Sequence, residues 1–120
     1  YNKKVILIDR FTDSTIAYQH YGMGVDLNLI ETLNKYLLKN IKVSFTFLNI
    51  VNQKNLQKRL KQRKSLNRYD KFKMSFYNKV QKGFLNLSKK QKNKYQLVNS
   101  NLDINNNEKL ILDKIDRLIK

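Results

Sequence analysis

The stretch "VILIDRFTDSTIAYQ", residues 5–19, decides the fold class that we expect for this chain. It opens on four consecutive apolar residues, 5–8, and an unbroken apolar run of this length is typical of a strand covered on both faces. Asp9 and Arg10 follow the run at once. Such a strand belongs in the middle of a sheet, so either the sheet is very small or an N-terminal half is absent from this chain.

Helical and extended patterns alternate along the rest of the chain. A short helix is predicted after the N-cap candidates Asp13 and Ser14, and Gly22 and Gly24 end it. Further helices are predicted over residues 26–40, 53–64, 72–87 and 108–120, strands over residues 43–51 and 95–100, and a polar loop over residues 101–107. Three strands separated by helices predict an α/β fold with a parallel sheet between two helix layers.

Two of these helices carry an apolar face at helical spacing. We expect the face of the helix over residues 26–40 to cover the sheet, and the face of the closing helix to point inward. The residues concerned are Leu29, Ile30, Leu33, Tyr36 and Leu37 in the first helix, and Leu110, Ile111, Ile115, Leu118 and Ile119 in the second.

Length and composition exclude several classes of protein. A chain of 120 residues, 41% of them hydrophobic, fits one domain with a real core. It has no cysteine and a single histidine, His20, which excludes disulfide frameworks, thiolate metal sites and chemistry built on several imidazoles. No apolar run is long enough to span a bilayer, and the first residues do not form a signal peptide. We therefore expect a soluble, cytoplasmic protein with no membrane contact.

The net charge of +16 has two explanations. The chain is rich in Lys, Asn and Ile and has no Pro, Cys or Trp, which is the usage expected when codons drift toward A and T, and we favour this cause. The alternative is a small basic α/β module that binds nucleic acid, with Tyr69 and Tyr77 near the basic run. Because the lysines are spread through every predicted helix instead of gathered on one surface, we regard nucleic acid as an unlikely partner.

The stretch "DRFTDSTIAYQHYGMG", residues 9–24, resembles the bacterial thymidylate kinase motif D-R-[YFH]-x-x-S-x-x-A-Y-Q with its Gly-rich turn. Four later stretches resemble, in order, a core strand, the basic helix and lid, the long helix after the lid, and the strand and loop that approach adenine. They are "FTFL" (45–48), "LQKRLKQRKSLNRYD" (56–70), "FYNKVQKGFLNLSKK" (76–90) and "YQLVNSN" (95–101). The resemblance extends over essentially all 120 residues.

The phosphate-cradling loop G-x-x-x-x-G-K-[ST] of that family is absent from this sequence. The resemblance therefore implies the C-terminal part of a thymidylate kinase, a single partial domain over residues 1–120 with a lid at about residues 59–70. The implied fold is a three-layer, P-loop nucleoside-monophosphate-kinase-like fold whose parallel sheet is incomplete. The implied reaction transfers the γ-phosphoryl group of ATP to dTMP, giving dTDP for dTTP biosynthesis, with Mg²⁺. We expect activity only together with the P-loop half. Because members of the family commonly dimerise, the resemblance also leaves open a homodimer contact through the helix over residues 26–40, although we favour a sheet-covering role for its apolar face.

The first motif carries the implied acceptor site. Asp9 would contribute to the Mg²⁺ and phosphate site, and Arg10 would grip the dTMP phosphate with its planar fork. Tyr18 would pack beneath the deoxyribose and leave no room for a 2′-hydroxyl. Thr15 would face the thymine ring with help from Gln19. Ser14 completes the substrate-binding set that the resemblance implies.

The lid carries the implied ATP site. Arg59, Arg63 and Arg68 match arginines of the family, and Arg63 is the candidate for the transferring phosphate. Asn99 lies near the adenine loop, where the family often has an acid. The residues alone leave plainer roles open: a capping acid at Asp9, a surface arginine at Arg10, helix packing for the residues that follow, and a solvated basic face for the lid helix.

Other positions depart from the family pattern, mostly by losing an acid, a proline or a glycine. The departures are Met23, Val43, Ser44, Ile50, Lys64, Asn67 and Asn99. A divergent working enzyme and an inactive remnant both fit this trend, and the sequence leaves both open.

Overall fold

The computed structural model describes residues 4–65, 68 and 72–120. Within them a short helix, α1 (Thr12–Thr15), continues as a π-helix (Ile16–Gly22). The longer helices are α2 (Leu27–Leu38), α3 (Gln53–Gln62), α4 (Met74–Lys90) and α5 (Ile104–Ile119), the strands are β1 (Thr46–Ile50) and β2 (Tyr95–Asn99), and a 3₁₀ turn (Lys92–Lys94) precedes β2. None of the helices in these ranges is both long and apolar enough to cross a membrane.

The two strands form a parallel pair, with Thr46 opposite Tyr95 at their amino ends. β-branched and aromatic side chains favour these extended segments, and Leu48 and Val98 bury their side chains. A parallel pair needs a crossover connection, which α3 and α4 supply. The expectation of an α/β fold with a parallel sheet is confirmed.

The strand predicted over residues 5–8 is not formed. Residues 4–8 have no regular structure, and the four apolar side chains are 56–80% exposed. A strand needs neighbours for its N–H and C=O groups, and β1 and β2 pair only with each other in the part of the chain that the structure describes. The prediction of a strand covered on both faces is therefore wrong for the described residues, because burial also requires a covering surface.

Several helix boundaries differ from the predictions. α5 begins at Ile104, so most of the loop predicted over residues 101–107 is helical; asparagine favours turns when taken alone, but here it continues a helix that starts after Asp103. α2 ends at Leu38, two residues before the predicted end, and Lys39 takes a φ of +46°. α3 ends at Gln62 and α4 starts at Met74, so the predicted ends at residues 64 and 72 are also displaced.

The N-cap roles predicted for Asp13 and Ser14 are wrong. α1 begins at Thr12, one residue earlier, and no side chain caps it. The Ser14 hydroxyl instead accepts a hydrogen bond from Arg10, and the Asp13 carboxylate accepts one from Tyr95. Asp13 therefore connects the motif to β2, whereas Ser14 makes a contact within the motif.

The predicted end of the first helix is confirmed. The π-helix stops at Gly22, and Gly24 takes a φ of +78°, a conformation that L side chains rarely adopt. The Val25 N–H then donates to the Gln19 carbonyl at 2.8 Å, and His20 Nδ1 donates to the Val25 carbonyl, also at 2.8 Å. The single histidine thus closes a turn.

The core lies where the π-helix packs against α4. Ala17 is fully buried, and Phe76 and Val80 of α4 pack with it. Two glycines permit the close approach of the two helices. A Cβ atom added at Gly22 would lie 2.6 Å from a ring carbon of Phe76, and one added at Gly83 would lie 2.7 Å from the ring of Tyr21.

The apolar faces of α2 and α5 are largely uncovered, contrary to the prediction. In α2 only Ile30 is buried, and the other four predicted residues are 50–73% exposed. In α5, Leu118 and Ile119 are about half exposed and Leu110 is also exposed, while Ile111 and Ile115 are half-buried. The helical spacing identified these faces correctly, but the described sheet is too small to cover them.

A half-buried tyrosine connects the motif to the sheet. Tyr95, at the start of β2, donates its hydroxyl hydrogen to Asp13 Oδ2. Burial of the hydroxyl, and next its hydrogen bond to Asp13, raises the pKa of Tyr95 well above the ordinary tyrosine value. The neutral tyrosine is therefore the form that the fold favours.

We expect Gly83→Ala to lower the free energy of unfolding by about 1–3 kcal/mol, because the added methyl group meets the Cβ and Cγ of Tyr21, which have little freedom to move. Alanine forms helices more readily than glycine, which by itself would stabilise the variant by about 1 kcal/mol. The clash with Tyr21 must therefore cost more than this gain for the variant to be less stable. Urea denaturation measures the change. Lys82→Ala, at an exposed neighbouring position of α4, is the control and should change stability by less than about 0.5 kcal/mol. A Gly83→Ala variant at least as stable as the parent would contradict the packing account.

We expect Tyr95→Phe to cost about 1 kcal/mol at neutral pH, because one hydrogen bond is lost. The raised pKa of Tyr95 stabilises the parent fully below the unfolded tyrosine value of about 10, and this stabilisation is lost as the pH rises above it. The parent and Tyr95→Phe should therefore converge in stability in alkaline solution, as measured by chemical denaturation at stepped pH. Tyr36→Phe, at an exposed tyrosine of α2, should run parallel to the parent at every pH. If the difference in stability between Tyr95→Phe and the parent stayed constant as the pH rises, the titration of Tyr95 would not contribute to stability.

Candidate functional site

A cavity of about 280 Å³ lies between the π-helix, β1, α3 and α4. Apolar side chains from three of these elements form much of its wall, among them Leu48, Leu56 and Phe84. Two cationic side chains, Arg10 and Arg63, also reach it, and no acid is among its described lining residues. An apolar wall with two converging cations suits a ligand that combines a flat or apolar part with an anionic group.

Arg10 adopts an unusual backbone conformation. Its φ is +60°, in the left-handed region that non-glycine residues enter at a cost of about 1–2 kcal/mol. Two contacts orient its side chain. Nε donates a hydrogen bond to Ser14 Oγ at 3.2 Å, and the guanidinium carbon lies 4.4 Å from the centroid of the Tyr18 ring. A hydrogen bond at Nε leaves the outer edge of the guanidinium fork pointing away from Ser14. Strained residues of this kind concentrate at functional sites.

Tyr18 is held in place by α4. Its ring meets Phe76 edge-on at 6.0 Å between centroids and Phe84 at 6.3 Å. These arrangements are favourable for aromatic pairs and restrict the ring. Tyr18 also belongs to the π-helix, a rare geometry that occurs often at functional sites. A restrained tyrosine therefore presents one face to Arg10 and lines the cavity.

Arg63 reaches the cavity from the opposite direction. It follows α3 directly, in an extended conformation with φ −71° and ψ 130°. α3 starts from Asn52, whose side chain accepts a hydrogen bond from the Asn55 N–H at 2.8 Å. Leu56 and Leu60, four residues apart, turn the apolar stripe of α3 toward the same cavity. The helix thus brings one cation and two leucines to the site.

Comparison with known proteins identifies the family. The sequence model of the family described as thymidylate kinase matches residues 1–111. The chain belongs to the thymidylate kinase family. The resemblance of the first motif and of the later stretches to bacterial thymidylate kinases is thereby confirmed.

Relatives of the chain include bacterial thymidylate kinases. That of Wolbachia pipientis subsp. Culex pipiens (strain wPip) is 35% identical over 105 residues, which are 88% of this chain and 49% of the relative. That of Sulfurihydrogenibium sp. (strain YO3AOP1) is 32% identical over 111 residues, 92% of this chain and 53% of the relative. The chain spans about half the length of the curated relatives it matches.

A solved structure is similar as well. The crystal structure of thymidylate kinase from Ehrlichia chaffeensis matches with a TM-score of 0.57 and 29% identity, over 93% of this chain and 49% of that one. The fold expectation of an incomplete P-loop kinase α/β architecture agrees with this match and with the parallel pair of strands.

The structure brings together three of the residues that the thymidylate kinase motifs imply. Arg10, Tyr18 and Arg63 line one cavity, and Ser14, which is buried, stands behind Arg10. The others are elsewhere. Asp9, Thr15 and Arg68 are exposed, Gln19 is half-buried, and Arg59 and Asn99 take part in hydrogen bonds at the carboxyl end of the strands. Asn67 and the other lid residues at 66 and 69–71 lie outside the described residues.

Sequence reasoning missed the contribution of α4 to the cavity. Tyr77 and Gln81 line it, and Gln81 Oε1 also accepts a hydrogen bond from the Val51 N–H at 3.3 Å, which ties α4 to the end of β1. The two residues are four positions apart, beside the buried stripe of Phe76 and Val80. Polar side chains adjoining a buried stripe at helical spacing were the available signal.

A magnesium ion fits the acidic residues only in part. The described residues contain no cluster of three or more metal-binding side chains. Asp13 is engaged by Tyr95, and Asp9 is a single exposed carboxylate next to Arg10. Mg²⁺ commonly takes one or two carboxylates and completes its shell with phosphate oxygens and water. Asp9 therefore suits one ligand position beside a bound phosphate.

We expect Ser14→Ala to loosen the Arg10 side chain, because Nε–H loses its acceptor. A hydrogen bond worth about 1 kcal/mol corresponds to roughly fivefold faster exchange of the Arg10 Nε proton with water, which NMR measures. Ser88→Ala is the matched control: Ser88 is also a buried serine, but its hydroxyl donates to the Leu85 carbonyl. Unchanged Nε exchange in Ser14→Ala would show that Ser14 does not hold the guanidinium.

Proposed function

We propose that this chain forms the acceptor and lid side of a thymidylate kinase that transfers the γ-phosphoryl group of ATP to dTMP, giving dTDP. The observation that carries the proposal is the convergence of Arg10, Tyr18 and Arg63 on one cavity. These residues come from the motif and the lid helix, which are far apart in the sequence. The family match over residues 1–111 supports the same reaction.

Arg10 would bind the phosphate of dTMP. A planar guanidinium fork is well matched to a phosphate, and the hydrogen bond from Nε to Ser14 Oγ helps to orient that fork. Stacking on Tyr18 fixes the plane of the fork. A guanidinium fixed in this way orients the acceptor oxygen, and orientation is the main requirement of phosphoryl transfer.

Tyr18 would select the sugar. Its ring is restrained by Phe76 and Phe84, so it cannot swing aside to admit a larger group. A rigid ring beneath the deoxyribose would exclude a 2′-hydroxyl. Thr15 and Gln19, three residues before and one residue after Tyr18, would contact the thymine base. The apolar lining of the cavity supports binding of a flat ring beside the charged end.

Arg63, Arg59 and Arg68 would serve the ATP side, with Arg63 closest to the transferring phosphate. Arg63 already lines the cavity that Arg10 shares, so it can neutralise charge that develops between acceptor and donor. Asn99 would lie near the adenine. Asp9 would hold Mg²⁺, and a bound magnesium ion would neutralise phosphate charge and align the phosphates.

The remainder of the catalytic machinery would be a P-loop segment. Backbone N–H groups of such a loop are the usual seat for ATP phosphates. The exposed apolar run at residues 5–8 supports a neighbouring strand on this side of the sheet. The exposed apolar face of α2 supports contact with a second copy in a homodimer. A cytoplasmic location fits an enzyme of deoxynucleotide synthesis.

We expect Arg10→Ala to lower dTMP phosphorylation about 100-fold or more, measured in a protein that joins this chain to the P-loop segment of a thymidylate kinase. The phosphate would lose its bidentate partner, so the acceptor oxygen would no longer be aligned. Lys35→Ala, which removes an exposed cation from the last turn of α2, is the control for net charge and should retain full turnover.

Two outcomes would count against the proposal. Near-normal turnover in Arg10→Ala would reject the assignment of the acceptor site. Absence of dTMP phosphorylation in the folded, joined parent protein would reject the reaction itself and favour an inactive remnant.

A further inference from the structure

Helix α3 is attached to the rest of the molecule without a buried side chain. None of its ten residues is buried, and its two leucines, Leu56 and Leu60, are half-buried against the cavity. Burial of apolar surface therefore contributes less to the placement of α3 than it does for α4. Polar contacts along one face of the helix must carry a correspondingly larger share.

Those polar contacts converge on the loop after β2. Asn101 Oδ1 accepts two hydrogen bonds, from the Asn52 N–H at 3.1 Å and from Asn55 Nδ2 at 2.8 Å. Arg59 adds a third contact, because its Nη2 donates to the Ser100 carbonyl. The donors from the helix are spaced three and four residues apart, so they lie along one face of α3. A single amide oxygen thus holds both the N-cap residue and the first turn.

The loop that supplies this oxygen is itself fixed to the sheet. The Ser100 N–H donates to the Ile50 carbonyl at 2.7 Å, which extends the pairing of β1 and β2. The Asn101 N–H donates to Asn99 Oδ1 at 3.0 Å, and Asn107 Nδ2 donates to the Asn99 carbonyl at 2.9 Å. Asn101 is therefore a rigid point to which α3 is attached.

The opposite end of α3 leads to the cavity. Arg63 follows the last residue of the helix and lines the cavity together with Arg10. A rotation of α3 about its start would displace Arg63 most, because Arg63 lies farthest from Asn101 along the helix. The position of Arg63 therefore depends on how firmly Asn101 holds the start of α3.

We propose that Asn101 is a positioning residue that fixes α3 and thereby holds Arg63 over the cavity. Its effect on turnover rests on the proposed function, whereas its effect on α3 does not. The chemical requirement is narrow. Position 101 must offer an oxygen that accepts two hydrogen bonds, and a carboxylate meets this requirement as well as an amide does.

Hydrogen exchange of the purified 120-residue chain tests the restraint directly. Asn101→Ala should accelerate exchange of the amides from Leu56 to Gln62 about tenfold, with no comparable change in α4, because the two hydrogen bonds to Oδ1 are lost. Asn101→Asp keeps the acceptor and should exchange like the parent. Asn105→Ala, at an exposed asparagine of α5, is the matched control and should also leave α3 unchanged. Unchanged exchange of α3 in Asn101→Ala would overturn the proposal, and so would acceleration throughout the chain.

Kinetics of the protein joined to a P-loop segment separate positioning from a general loss of structure. Asn101→Ala should lower kcat about fivefold or more with little change in KM for dTMP, since Arg10 and Tyr18 are untouched, and Asn101→Asp should restore kcat. Loosened α3 with unchanged kcat would overturn the link to Arg63. If the parent itself forms no dTDP, the proposed function fails, and hydrogen exchange alone decides whether Asn101 holds α3.

Discussion

The close approach of the π-helix to α4 is the constraint on which the rest of the site depends. Gly22 and Gly83 leave no room for a side chain at the contact, so the two helices meet through the rings of Phe76 and Tyr21. Ala17 is fully buried between them. This packing sets the distance between the motif and α4, and the ring of Tyr18 takes its place from it. Arg10 in turn stacks on Tyr18, so the orientation of a cation derives from a contact between apolar surfaces.

The parallel pair of strands supplies the second half of the site. In a parallel arrangement the segments that follow the strands leave the sheet at the same edge, where α/β proteins bind their ligands. The segment after β1 becomes α3 and ends at Arg63, and the segment after β2 forms the loop that holds the start of α3. The cavity therefore has one wall built from the core and one wall that is tied to the sheet by polar contacts. The wall formed by α3 has no buried residue, so its position depends more on these polar contacts than the position of α4 does.

Large apolar surfaces of this chain are not covered by its described residues. Residues 5–8 and the exposed side of α2 both have the pattern of buried elements, yet both face solvent. The chain spans about half the length of its curated relatives. A pattern of apolar residues shows which face of a segment is suited to burial, but that face becomes buried only where another surface packs against it.

The sequence by itself determined the α/β class, the two strands that form with the helices between them, and the motif that contains Arg10 and Tyr18, because spacing, turn residues and residue types are local properties. Through the resemblance to the family it also predicted a role for Arg63 at the site, and Arg63 lines the cavity. Only the tertiary structure decided that Tyr77 and Gln81 line the cavity, and that α5 extends through an asparagine-rich segment. It also decided that Asp13 bonds to Tyr95 and Ser14 to Arg10 instead of capping a helix. These outcomes depend on which surfaces and hydrogen-bond partners lie within reach after folding, and no local pattern of residues contains that information.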